Sequence, residues 1–234
     1  MNASFNESLK MAVVAETKGE LPTKEKASDE RPAAPRQRRT QEERRTATRK
    51  NLIAATIEIL QERGAANMTT AEVAERAGLT RGAIQYHFAT PKDLLRETVV
   101  EIANRMGGML DVEAARKLDL EERIDYVIDT YWQGYTSPTY MAFTEIAVQG
   151  RLDDELRKAV RATLDEIERG RADVWAALFA DSGLNRDEII GWRTALQVMT
   201  RGLALSKMIS LPDAAVNPQI ARFKDMFKHQ MGVG

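Results

Sequence analysis

Apolar positions recur along this chain at spacings of three and four, and most of the recurrences are framed by helix-capping residues. Between Glu42 and Arg63, Ile53, Ile57 and Leu60 form a helical stripe that Leu52 and Ile59 widen. Gly64 then offers a stop. Thr69 is an N-cap candidate with Glu72 three places on, the spacing of a capping box, and Met68 and Val73 stand at the two ends of a hydrophobic staple. The helix they open should run to about Ala77. Gly78 supplies the left-handed turn that ends it. Thr80 is the next N-cap, with Leu79 and Ile84 again at staple spacing. Thr90, Pro91 and Asp93 open a further helix, predicted to reach about Met106 before Gly107-Gly108.

The remainder reads the same way. Leu120, Ile124, Val127, Ile128 and Tyr131 mark one helix, Ser137-Pro138 interrupts, and a short helix follows to Val148. Asp153-Asp154-Glu155 places negative charge at the start of a long helix carrying Leu156, Val160, Leu164, Ile167, Val174 and Leu178, which Asp181–Gly183 ends. Ile189, Trp192, Leu196, Met199 and Leu203 form a seam on the next, and a last helix is expected to follow Pro218. No segment alternates with a period of two, so the predicted fold class is all-α.

The short pair of helices joined at Gly78 carries the chemistry. Ile84 and Phe88 share one face and should pack inward on Val73, Ala74 and Ala77. Thr80, Arg81, Gly82, Ala83, Gln85, Tyr86 and His87 remain for the outside. Small residues at a helix start let the backbone sink into a major groove, and arginine and glutamine bond bidentately to guanine and adenine. This is the layout of a helix-turn-helix that reads duplex DNA. The competing interpretation is a short solvated helix in an ordinary bundle. His87 could likewise bond within the domain, or meet DNA as a neutral donor or as a cation raised by a phosphate.

Charge sharpens the picture. Net charge is −1 over 234 residues, yet Arg36, Arg38, Arg39, Arg44, Arg45, Arg49 and Lys50 face only Glu42 and Glu43 within their own stretch. Positive charge is therefore concentrated beside the reading helices. Residues 1–38 are polar and rich in Lys, Glu, Ala and Pro, and are expected to be a disordered extension. Its basic end either lies along DNA or is a solvated tail. There is no cysteine, which excludes disulfides and thiolate metal sites and is compatible with a cytoplasmic setting. No apolar run approaches the ~18–20 residues that span a bilayer, and Met11–Ala15 is too short for the core of a signal peptide.

The stretch from about Arg44 to Met106 resembles the DNA-binding domain of the TetR-like (tetracycline-repressor) family of bacterial regulators. The matching features are the apolar helix Leu52–Leu60 ending at Gly64, Thr69-Thr70, the run Val73-Ala-Glu-Arg-Ala77-Gly78-Leu79-Thr80-Arg81-Gly82, then Ile84, His87-Phe88, Lys92 and Leu94-Leu95. The resemblance implies an N-terminal three-helix helix-turn-helix domain over 39–106 and a helical ligand-binding and dimerisation domain over 107–234. It places Thr80, Arg81, Gly82, Ala83 and Gln85 at bases or phosphates, and Tyr86, His87, Thr69 or Thr70, and Lys92 at phosphates. Many members carry an aromatic residue where this chain has Gln85, which leaves the role of Gln85 open.

The resemblance further implies a homodimer, its interface built from the helices at about Asp153–Ala180 and Asp187–Ser210, and release from a palindromic operator by a small-molecule effector. Two-fold pairing is also expected physically, because one short helix reads too little DNA alone. No cofactor or metal is expected. Tyr126, Tyr131, Trp132, Phe143, Glu145 and Trp175 are the candidates to line an effector pocket, Glu145 as a partner for a cation. Plain core packing is the alternative for the aromatics. An effector-independent architectural DNA-binding protein is a rival reading. An all-α enzyme is another, but no nucleophile, base and charge stabiliser converge in the pattern.

Overall fold

Ten helices account for most of the chain described by the computed structural model, which covers residues 40–66 and 68–233. The predicted N-terminal extension and its basic end at Arg36, Arg38 and Arg39 lie outside the described residues. Helix α1, Gln41–Arg63, begins with a complete capping box between Thr40 and Glu43 and stops where Gly64 turns to φ 71°. Helices α2 (Thr70–Arg76) and α3 (Arg81–His87) flank Gly78 at φ 68°. Helix α4, Pro91–Gly107, opens with a reciprocal box between Thr90 and Asp93.

One local expectation is corrected here, and a second, the N-cap at Thr80, holds in position but lacks its side-chain bond. Thr69 does cap α2 by accepting from the Glu72 amide, but Glu72 does not reach back to complete a box; its carboxylate pairs with Arg63 instead. Thr80 starts α3 in extended geometry without a side-chain hydrogen bond, so its hydroxyl stays free.

Beyond Gly108, a short helix α5 (Val112–Ala115) capped by Asp111 escaped the periodicity, being a single turn. Then come α6 (Leu120–Tyr135), α7 (Pro138–Gly150), α8 (Asp154–Leu178), α9 (Arg186–Ile209) and α10 (Asp213–Gln230). The last helix does not follow Pro218 but contains it. Pro218 sits in the second turn, and the carbonyl it leaves unbonded belongs to exposed Ala214, where water can take the donor's place. Val216, Ile220, Phe223 and Phe227 bury one face across the proline and hold the helix together.

Two apolar cores share this scaffold. One joins α1–α4 through Leu52, Ile57, Val73, Ile84, Phe88, Leu94 and Val99, and extends into Ala142 and Ile146 of α7 and Leu156 and Val160 of α8. The other packs Ile124, Val127 and Ile128 of α6 against Trp175, Leu178, Leu196, Phe223 and Phe227. Helix α8 contributes its start to the first core and its end to the second. Within the second core, Arg123 of α6, 7% exposed, ties α6 to the end of α8 by donating to the Leu178 carbonyl and to Asp181, and it also donates to the Leu118 carbonyl.

Candidate functional site

Helix α3 stands on the surface because only Ile84, with Phe88 just after it, has anywhere to go. Both are 3% exposed, packed on Val73 and Ala74. Everything else on the helix is left outside. Thr80, Arg81, Gly82 and Gln85 are exposed, Tyr86 is 70% exposed, and Ala83 and His87 are half-buried. Glycine at 82 is not required by internal packing: a Cβ there would meet only the Thr80 hydroxyl at 3.9 Å. Its bareness is directed outward, where a close partner gains access to backbone.

The supports around α3 are charged. Arg49 of α1 donates to the His87 carbonyl at 2.6 Å, pairs with Glu97 of α4 at 3.2 Å and lies 4.5 Å over the Phe88 ring. One guanidinium thus fixes the end of α3 between its neighbours, worth more when stacked and paired than as a lone surface charge. Burial, then the charges of Arg49 and Arg45, push the His87 imidazole below its ordinary range. Its ring stands edge-on to Tyr86 at 5.0 Å. Arg44 and Arg45 line a shallow groove with Tyr86 and His87; their only signal in the sequence was the basic run. Thr69 is exposed and Thr70 half-buried at the start of α2.

Lys92 stands apart from the other expected phosphate contacts. It is half-buried and already engaged, with Glu155 at 2.5 Å and Asp153 at 3.1 Å, both at the start of α8. Its hydrogen bonds to the two carboxylates hold its ammonium above the usual range. A phosphate at Lys92 has to displace them.

The effector candidates divide. Tyr131 and Trp175 line a cavity of about 150 Å³ between α4, α6 and α8. The other four do not. Tyr126 and Trp132 point to the second core, and the Tyr126 hydroxyl accepts from the Asp111 amide at 3.3 Å. Phe143 packs on the first core, stacked on Tyr140. Glu145, expected as a partner for a cation, is engaged within the protein: its carboxylate accepts from the Ala65 amide at 3.1 Å, just past the end of α1. Tyr135, another aromatic the sequence offers for a cavity wall, lines it too, and so do Arg171, Met106, Gly107, Leu110, Thr130 and Val174, of which Arg171 carried no signal in the sequence. Among the described residues, no group of three or more His, Cys, Asp or Glu is placed to hold a metal ion.

A capped turn that presents an exposed short helix against a buried partner defines the helix-turn-helix class of DNA-binding proteins. Residues 52–98 match the family model of bacterial regulatory proteins, tetR family. Among curated proteins, the HTH-type transcriptional regulator CymR of Pseudomonas putida is 27% identical over 171 residues, spanning 73% of this chain and 84% of CymR. A transcriptional regulator from Rhodococcus sp. RHA1 shares the fold at TM-score 0.61 and 22% identity, over 77% of this chain and 96% of that one. The multidrug binding protein EbrR, solved with imidazole, does so at TM-score 0.56 and 17% identity, over 75% and 93%. Residues 52–98 thus form a tetR-type helix-turn-helix domain, and the chain as a whole is similar to HTH-type transcriptional regulators.

Proposed function

We propose that the chain is a dimeric repressor that holds a palindromic operator through α3 and lets go when a small molecule enters the cavity beside α4. The exposed outward face of α3 carries this reading. Thr80, Arg81, Gly82, Ala83 and Gln85 reach bases or phosphates; Tyr86, His87, Thr69 or Thr70, and Lys92 hold the backbone on either side, joined by Arg44 and Arg45. Residues 39–106 do the reading, and 107–234 take the effector and pair the subunits. The setting is cytoplasmic, and no catalysis is assigned.

Pairing is supported by a stripe on α9. Gly191, Ala195, Val198, Gly202, Leu205 and Ile209 are all exposed, uncharged and spaced alternately by four and three. Val198 is 66% and Ile209 71% exposed. Small and apolar residues in such a row let two helices approach closely. Helix α8, by contrast, spends Leu156, Val160, Trp175 and Leu178 inside the subunit. The pairing face is therefore drawn from α9 more than from α8.

The test is binding of the full chain to the promoter of its own gene and to random duplex at one salt concentration. A ratio of at least about a thousand is expected, and a ratio near one removes the specific-regulator reading in favour of an architectural protein. Light scattering on Val198→Glu supplies the dimer arm: the parent runs as a dimer and the variant as a monomer that has lost operator binding.

A further inference from the structure

The cavity beside α4 is rich in hydrogen-bond donors and poor in acceptors. Among the described residues, Arg171 is the one charged group in its wall. Tyr131 Oη accepts from Trp175 Nε1 at 2.8 Å, and Tyr135 Oη accepts from Arg201 Nη2 at 3.1 Å. Each hydroxyl therefore keeps its own proton, and among the described residues neither donates it to a protein acceptor. Charge points the same way. Glu168 is shared by Arg193, only 3% exposed, and by Arg171 at 3.5 Å. Arg201 has no carboxylate within 4.0 Å among the described residues and rests over the Tyr135 ring instead. Two guanidinium groups thus share one carboxylate, and Arg201 adds a third positive charge at the exposed edge. Where water is partly excluded, such an excess favours an anion.

The rest of the wall is apolar, and its volume, about 150 Å³, suits a body near the size of one aromatic ring. We infer that the cavity takes a small organic acid, one ring or a short branched chain bearing a single carboxylate, with Arg171 as counter-ion and Tyr131 and Tyr135 as donors. The inference rests on the effector reading for its consequence, not for its chemistry. The consequence follows from what Arg171 already holds: its Nη2 donates to the Ala103 carbonyl in the last turns of α4. A Cβ at Gly107 would lie 2.8 Å from the same nitrogen, so the guanidinium occupies the space that glycine leaves. A ligand carboxylate competes with α4 for this group.

The experiment uses the full chain and three probes of matched size: benzoate, benzyl alcohol and benzylamine, read by calorimetry and thermal shift. Benzoate is expected to bind at least about tenfold more tightly than benzyl alcohol, the least that a charge-assisted contact contributes, and benzylamine not at all. Arg171→Ala should bring benzoate down to the level of benzyl alcohol, and Arg171→Lys should restore part of the difference. Gly107→Ala, which displaces the guanidinium without removing it, should weaken benzoate alone. Val174→Trp should abolish both, with circular dichroism showing each variant folded. Equal binding of benzoate and benzyl alcohol, tighter binding of benzylamine, no benzoate binding up to about 10 mM, or benzoate binding unchanged in Val174→Trp each overturns the inference. Promoter DNA added to the same titration separates the two readings. Benzoate that binds as described but leaves DNA affinity unchanged keeps the ligand class and removes effector release.

Discussion

Deleting the Glu145 carboxylate asks how firmly the reading helices are fastened to the rest of the molecule. Glu145 of α7 accepts from the Ala65 amide at 3.1 Å, and Ala65 is 8% exposed. Glu145→Ala leaves that buried N–H without a partner, a loss of about 1–3 kcal/mol. For a chain of this size each kcal/mol moves the midpoint by roughly 2–4 °C, so melting should fall by roughly 2–12 °C. Glu145→Gln keeps an acceptor in place and should fall less. Gly64 provides the control. Its φ of 71° and ψ of −174° belong to glycine alone, so Gly64→Ala costs about 1–3 kcal/mol in backbone strain. A Cβ there would also stand 2.7 Å from Glu145 Oε2 and drive the carboxylate off. In the Glu145→Ala background this second cost has already been met. The two substitutions should therefore be sub-additive by more than about 0.5 kcal/mol in urea or thermal unfolding at fixed protein concentration. A strictly additive cycle, or a Glu145→Ala midpoint within about 1 °C of the parent, would refute the claim that this contact joins α7 to the end of α1.

Three further outcomes are expected. Arg81→Ala should cost ~1–3 kcal/mol on the operator and less on random duplex if Arg81 reads a base, whereas an equal loss on both assigns it to phosphate. Asp153→Asn with Glu155→Gln frees Lys92 while the neutral amide side chain at position 153 still caps α8; DNA binding should strengthen at low salt, and the slope of log affinity against log salt should steepen by up to about 0.9. An unchanged slope means that Lys92 meets no phosphate. His87 is held below its ordinary range, chiefly by burial and then by Arg49 and Arg45. Its contribution to stability is therefore present above about pH 6.5 and is lost as pH falls through the lower folded value. Between pH 7.5 and 5.5 the parent should lose more melting temperature than His87→Gln, and parallel losses would count against it.

What could be read in advance was local. Caps at Thr69 and Thr90, the turn at Gly78 and the inward pair Ile84 and Phe88 each depend on residues a few places apart, and the structure repeats them. The effector candidates divided where the deciding contact lay far along the chain. Glu145, the one charge in an apolar stretch, looked available to a ligand, but its partner is an amide 80 residues upstream. Helical spacing put Tyr131 and Tyr135 on one face of α6 and Trp132 on another without saying which face met α4 and which met α9. Arg171 is one of four arginines on α8, and helical spacing does not single it out. Its place in the wall depends on a missing side chain at Gly107, and no pattern within either helix shows that.

Helix α8 grips α4 at both ends, and this bears on how a ligand could reach the DNA face. Asp153 and Glu155, at the start of α8, hold Lys92 at the start of α4. Arg171, further along α8, holds Ala103 near the end of α4. The two helices therefore run side by side in the same sense. An anion that draws Arg171 away loosens only the far end, so α4 swings about the Lys92 end instead of sliding. That pivot lies four residues from Phe88, where α3 is anchored. Displacement is smallest at a pivot, so the swing reaches α3 as a change of orientation and not as a shift. The same clamp acts in reverse. A phosphate that takes Lys92 must first displace two carboxylates, which loosens the near end of α8. Under the proposed function, DNA and ligand then compete through opposite ends of one helix pair. Linkage requires the cost to be the same from either side: whatever factor the acid takes from operator affinity, the operator takes from the acid.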